Sequence, residues 1–243
     1  MKKAIGYVYV IEAAVCWGFL GLFNRVLTAA GVSLLNMMPL RFGGTAILFT
    51  VFCMMFKQQV FHIKLRHLPI FLGSGLISML LVLCGCALVS GIVGSDVGIS
   101  LEGLLMGLAS ELCYGGYTIF THYGMRYCDS FTMAYWTFLI AGIASLFLAD
   151  GPALLSALAE PRTVLAALGL MVMGTALPFT LYTKGLETVE SGKAAIIANI
   201  EPVMSAVIGV TVFQETLGLW TLVGIVLVLA GVVVLACEKE PDK

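Results

Sequence analysis

The sequence predicts an all-α, polytopic membrane protein with about eight transmembrane helices, and three observations predict it. Of its 243 residues 60% are hydrophobic and only 11% charged, where a soluble domain carries about 25% charged residues. Eight runs are long enough, at about 1.5 Å of rise per residue, to cross a hydrocarbon core roughly 30 Å thick. Those runs are continuously apolar rather than alternating, which selects helices over a barrel.

The runs follow one another with short separations. The first, 4–23, comes after Lys2-Lys3 and holds Glu12; an acid in mid-run with seven spans behind it reads as a retained helix rather than a cleaved signal peptide. The second, 40–56, opens at Arg41, and the third, 68–95, has no charge. The fourth, 102–122, has Glu111 at its centre. The uncharged fifth and sixth, 130–149 and 163–183, flank a loop at 150–162 that carries two acids, one arginine and two prolines. The seventh, 194–213, contains Glu201-Pro202, and the eighth, 216–237, is uncharged.

An even number of crossings puts both termini on one side. With the N-terminus in the cytoplasm, ten Lys and Arg residues fall inside and three (Arg25, Arg41 and Arg162) outside, the asymmetry that sets orientation. The most basic loop, 57–67, is then cytoplasmic and 150–162 faces out. A net charge of −1 leaves no basic surplus for nucleic acid. Seven cysteines, an odd number placed mostly inside apolar runs, act as small hydrophobes rather than a disulfide framework.

The chain also repeats itself. Cys16-Trp17-Gly18 with Phe23 matches Cys113-Tyr114-Gly115 with Phe120 at an offset of 97, and Leu72-Gly73 matches Leu168-Gly169 at 96. The register then jumps to 146, where 81–85 pairs with 227–231. The first half therefore lacks about fifty residues that the second half has. This divides the chain into an incomplete three-helix unit at 1–95, a complete five-helix unit at 102–237 and a cytoplasmic tail at 238–243. Two odd-numbered units in series enter the membrane from opposite sides, the inverted-repeat plan of many secondary transporters.

Pro178-Phe179 with Tyr182 and Gly185, then Glu201-Pro202, then Glu215 before a helix marked by Gly224 and Gly231, together with Trp17-Gly18 and Arg41-Phe42 earlier on, resemble the EamA family of the drug/metabolite transporter superfamily. The likeness is strongest over 102–237. It implies a bacterial inner-membrane, multi-pass permease or exporter of amino acids, metabolites or drugs. It also implies ten helices, and the runs here number eight.

Candidate site residues come from polar groups stranded in hydrocarbon. A charge at mid-membrane costs roughly 2.5–3.5 kcal/mol on insertion scales, so Glu201 should look inward. It binds a substrate amine, carries a coupling proton, or sits protonated between helices. Pro202 beside it, and Pro178 in the preceding span, each remove a backbone donor and should kink their helices. Glu111 heads a stripe with Tyr114, Gly115, Thr118 and His122, which reads as a solvated path or as a packing seam. Arg41, expected near the outer surface, either snorkels to headgroups or, as the resemblance implies, serves substrate binding or gating. Trp17, Tyr114 and Tyr182 offer ring faces to a flat or cationic ligand, or else pack as ordinary membrane aromatics.

No HExxH, GxxxxGK, GxSxG or CxxC pattern occurs, so neither an enzyme nor a cofactor or metal centre is expected. The expected partners are the lipid bilayer, a small solute and a second copy of the chain. The expected function is secondary transport by alternating access. Its rival is a shortened, transport-incompetent relative that persists as a helical membrane or interaction protein.

Overall fold

The computed structural model describes residues 2–61, 63–89 and 101–237, and at Glu111 and some other helical positions it describes the backbone alone. The end of the first expected unit, 90–95, and the whole expected tail, 238–243, lie outside the described residues. Every one of the eight apolar runs becomes a helical column, and no strand occurs among the described residues.

The first column joins α1 (Lys2–Gly18) to α2 (Leu20–Ala29). The second stacks α3 (Leu34–Met38), a π turn over Pro39–Gly43 and α4 (Gly44–Phe56). Helix α5 (Leu68–Val89) lies along α6 (Leu101–Gly124), and α7 (Ser130–Leu146) turns by 110° into the short α8 (Gly151–Ala157). The sixth column is α9 (Pro161–Met171), a second π turn over Val172–Ala176 and α10 (Leu177–Gly185). The seventh is α11 (Ser191–Ala198) with α12 (Ile200–Phe213), and the last is α13 (Leu219–Cys237). Among the described residues, four columns are long and apolar enough to cross a membrane: Ala4–Ala29, Leu35–Phe56, Pro161–Gly185 and Ser191–Phe213; the bent α7–α8 pair is a fifth.

Capping side chains set several column ends. Ser33 accepts from the Asn36 amide at 3.2 Å and so starts the second column before the apolar run begins. Asp129 starts α7, accepting from the Thr132 amide at 3.3 Å. Asp150 accepts from the Ala153 amide at 3.2 Å, so 150–162 contains a helix where a loop was expected. Such caps satisfy amides that have no partner within the helix.

Packing follows a pattern that survives exchange of the two halves. The first column lies against the sixth, and α6 lies against α5, while the second column lies against α7. A Cβ on Gly169 would overlap the Phe23 ring, and a Cβ on Gly73 would overlap the Phe120 ring. Gly73 and Gly169, and Phe23 and Phe120, are pairs at the repeat offsets, so the same close contact is made twice with the halves swapped. The buried core lies between the columns, with Trp17, Phe42, Tyr117, Phe138, Phe179 and Tyr182 at its centre.

The loops collect at two ends. At one, Lys57 pairs with Asp129 and the Trp136 indole donates to the Val60 carbonyl at 2.9 Å. At the other, the Asp150 amide donates to the Asn36 side chain at 2.8 Å, and Arg25 pairs with Glu215. Cys16, Cys53 and Cys128 are free thiols.

Candidate functional site

The two π turns face each other in the core. A π turn inserts one extra residue per turn and often marks a functional position. Each lies at a proline. Pro39 opens the first turn, and Pro178 stands just beyond the second. Pro178 has no N–H to return to the Gly174 carbonyl four residues back, and that oxygen accepts from Arg41 Nη2 at 3.5 Å. Arg41 Nε donates to Thr175 Oγ1 at 3.1 Å, and Thr175 in turn donates to the Leu170 carbonyl at 2.9 Å. Nearby, Thr45 donates to the Met171 carbonyl at 3.1 Å.

This placement corrects the expectation for Arg41. The second column begins at α3, so Arg41 lies inside the span and half-buried rather than at the outer surface. It is tied to the sixth column instead of snorkelling. Its guanidinium centre stands 5.6 Å from the Phe42 ring centre and 5.9 Å from that of Phe179, within the range of cation–π attraction.

Phe179 links the arginine to a ring cluster. Trp17 meets Phe179 edge-on at 5.1 Å and Tyr182 at 5.3 Å, and Tyr114 stands 5.9 Å from Tyr182 and 6.3 Å from Trp17. Trp17 is 4% exposed and Tyr182 fully buried, so the three expected aromatics do come together, ring against ring. The Tyr182 and Thr118 hydroxyls are 3.2 Å apart, and the Tyr117 and Thr183 hydroxyls 3.5 Å. The buried Tyr114 hydroxyl lies against the Tyr182 side chain and within electrostatic reach of Glu201.

Glu201 is half-buried on α12, and the seventh column breaks at Asn199, three residues before Pro202. Pro202 itself is exposed. One turn beyond Glu201, Met204 sits where a Cβ on Gly18 would collide with it. The side chain of Glu111 lies outside the described residues. The rest of its stripe divides: Tyr114 and Thr118 turn to the core, whereas His122 is exposed. Glu12 also stands on an exposed side of α1, away from the ring cluster.

Sequence reasoning missed Thr175, Thr45 and Phe179 as site residues. Phe179 stood in the motif beside Pro178. The threonines carried no signal, because a hydroxyl in an apolar helix ordinarily bonds its own carbonyls four residues back.

One family model and three relatives link the chain to known proteins. The EamA-like transporter family model matches residues 101–237, from α6 through α13. An uncharacterized transporter of Archaeoglobus fulgidus is 43% identical over 68 residues, 28% of this chain and 25% of the relative. The uncharacterized transporter YwfM of Bacillus subtilis is 26% identical over 174 residues (70% and 57%), and the uncharacterized inner membrane transporter YicL of Salmonella typhimurium is 26% identical over 148 (60% and 48%). The matched stretches thus span from a quarter to just over half of these relatives.

Proposed function

The chain belongs to the EamA-like transporter family, and from that premise we propose that it is a secondary transporter moving a small organic metabolite, amino acid or drug by alternating access. The observation that carries the reading is the lock between the two π turns. Arg41 of the second column bonds Thr175 and Gly174 of the sixth, directly beside the ring cluster. One cation, a buried tyrosine hydroxyl and a cluster of aromatic rings, with Glu201 in electrostatic reach, suit a solute with an anionic group and an amine or flat body. Arg41 and Glu201 bind, Trp17, Tyr114 and Tyr182 form the walls, Glu111 handles a proton, and the backbone breaks near Pro178 and Pro202 supply hinges. We assign no chemical step and no cofactor. The doubly made glycine–phenylalanine contact supports two opposed halves rocking against each other. The loop charges support a multi-pass inner-membrane protein with 57–67 and both termini in the cytoplasm.

A second reading has its own observation. Gly18 and Gly115 are matched at the repeat offset, yet only Gly18 is covered, by Met204 of α12; among the described residues nothing lies within 4 Å of a Cβ built on Gly115. The first half has no counterpart of the helix that carries Glu201. The chain then works as a subunit whose missing wall a second copy supplies, or does not transport alone.

The test is counterflow in proteoliposomes against a panel of amino acids and organic cations. The first reading expects flux from this chain, reduced at least about ten-fold by Arg41→Lys and by Glu201→Gln at equal protein content, a loss of about 1.4 kcal/mol. Flux that survives Glu201→Gln removes that residue's role. Flux only after about fifty first-half residues are restored establishes the second reading.

A further inference from the structure

We propose that the basic end of the molecule holds a binding site for a phosphate-bearing anion, separate from the Arg41 site. A cavity of about 620 Å³ opens there between the segment after α4 and the segment joining α6 to α7. Lys57, Lys64, His67 and Arg126 stand in its wall, and the acid facing them is Asp129.

The charges on that wall do not cancel. Asp129 is engaged twice, by the Lys57 ammonium and by the Thr132 hydroxyl and amide. Lys64 and Arg126 form no ion pair with a carboxylate among the described residues. Aromatic rings beside the cavity also hold His67 and Arg126. The His67 ring lies on Tyr127 with centres 4.4 Å apart, the Arg126 guanidinium stands 5.3 Å from the Tyr123 ring centre, and the Tyr123 and Tyr127 hydroxyls are 3.0 Å apart. Ile63 and Phe71 add apolar side chains to the lining.

Helix ends add to this field in both senses. The N-termini of α5 and α7 point their positive ends this way, though Asp129 already caps α7, while α4 and α6 bring their C-terminal carbonyls. The surplus therefore rests on Lys64 and Arg126. A cavity lined by both cations and apolar side chains, at the basic end of the helices, is the arrangement that takes an anionic headgroup. The same cations would take free phosphate or a soluble phosphorylated metabolite. The volume admits either.

The experiment uses the purified full chain in detergent, with native mass spectrometry for lipid adducts and thermal shift for soluble ligands. The probes are phosphatidylglycerol, phosphatidylcholine as the zwitterionic control, and inorganic phosphate. Phosphatidylglycerol bound in preference to phosphatidylcholine, and not displaced by millimolar phosphate, supports the site with a lipid as its source. Stabilisation by phosphate alone supports it with a soluble source. In either case K64Q/R126Q weakens binding by about 30-fold, from about 1 kcal/mol per surface cation. Both side chains are exposed, so the variant keeps its ligand-free melting temperature. Failure of the unmodified chain to bind either anion overturns the proposal without recourse to the variant, and so does binding that K64Q/R126Q leaves unchanged. Transport is not read in this experiment, so its result stands apart from the fate of the transporter reading.

Discussion

Gly18 and Gly115 occupy matched positions 97 residues apart and have opposite surroundings. A methyl on Gly18 would overlap the Met204 Cβ and press its backbone carbon at 3.2 Å, neither of which is the free end of a flexible chain. One of the two helices must move, and overpacking of this kind costs about 1–3 kcal/mol. Among the described residues nothing fills the same place at Gly115, and there alanine should gain the roughly 0.5–1 kcal/mol that separates it from glycine in a helix. Gly18→Ala is thus expected to lower the melting temperature in detergent and Gly115→Ala to hold or raise it. Equal losses at both positions would show that a wall covers Gly115 as well, and would remove the asymmetry on which the subunit reading stands.

At the scale of elements, what could be read in advance was what hydrocarbon demands of composition. All eight columns were legible as apolar runs, because a membrane helix is specified by length and the absence of charge. Their ends were less so. Ser33 and Asp150 extend helical structure past the apolar run through one side-chain bond each, and hydropathy is blind to a cap. The π turns were not legible at all: a proline announces a broken ladder but not which carbonyl is freed or what takes it. Reading Arg41 from the run's edge therefore put it too near the surface. Of the candidate site, the aromatics were proposed from type and position and Arg41 with the help of the resemblance, whereas their threonine partners were hidden among apolar neighbours. One element end also carries a pH signature. Burial raises the Asp129 carboxyl, but the Lys57 ammonium and the Thr132 donors outweigh it and hold it below the usual carboxylate range. A carboxyl lowered on folding stabilises the protein above its unfolded value of about 3.9 and loses that contribution as pH falls through the folded value. With both partners partly exposed the contribution is under about 1 kcal/mol. The melting-temperature difference between wild type and Asp129→Asn should accordingly be constant from pH 8 to 5 and close below about pH 4. A gap that widens in acid would reverse the assignment.

For the whole molecule, the arrangement of loops ties sequence to orientation. The segment 57–67 and the α6–α7 connection meet at one end through Lys57 and Asp129, while Asn36 and Asp150 meet at the other. Two consequences follow from the columns between them. The loops predicted to share a side do share an end, as the even number of columns between the members of each pair requires. And Lys57, Lys64 and Arg126 gather at the end that also holds the large cavity, so a single measurement of sidedness fixes the compartment that the proposed anion site faces. Gln58 and Ser156 are exposed and lie at opposite ends. In a background with the native cysteines replaced, Gln58→Cys in intact cells should resist a membrane-impermeant maleimide until the membrane is permeabilised, and Ser156→Cys should react at once. Cys128 can remain as an internal control: burial, then the neighbouring Asp129, push its thiol up to about 11, leaving about one part in a thousand as thiolate at pH 8 and a correspondingly slow reaction. Labelling of Gln58→Cys from outside would invert the molecule, put the basic end against the positive-inside tendency, and move the anion site to the external leaflet.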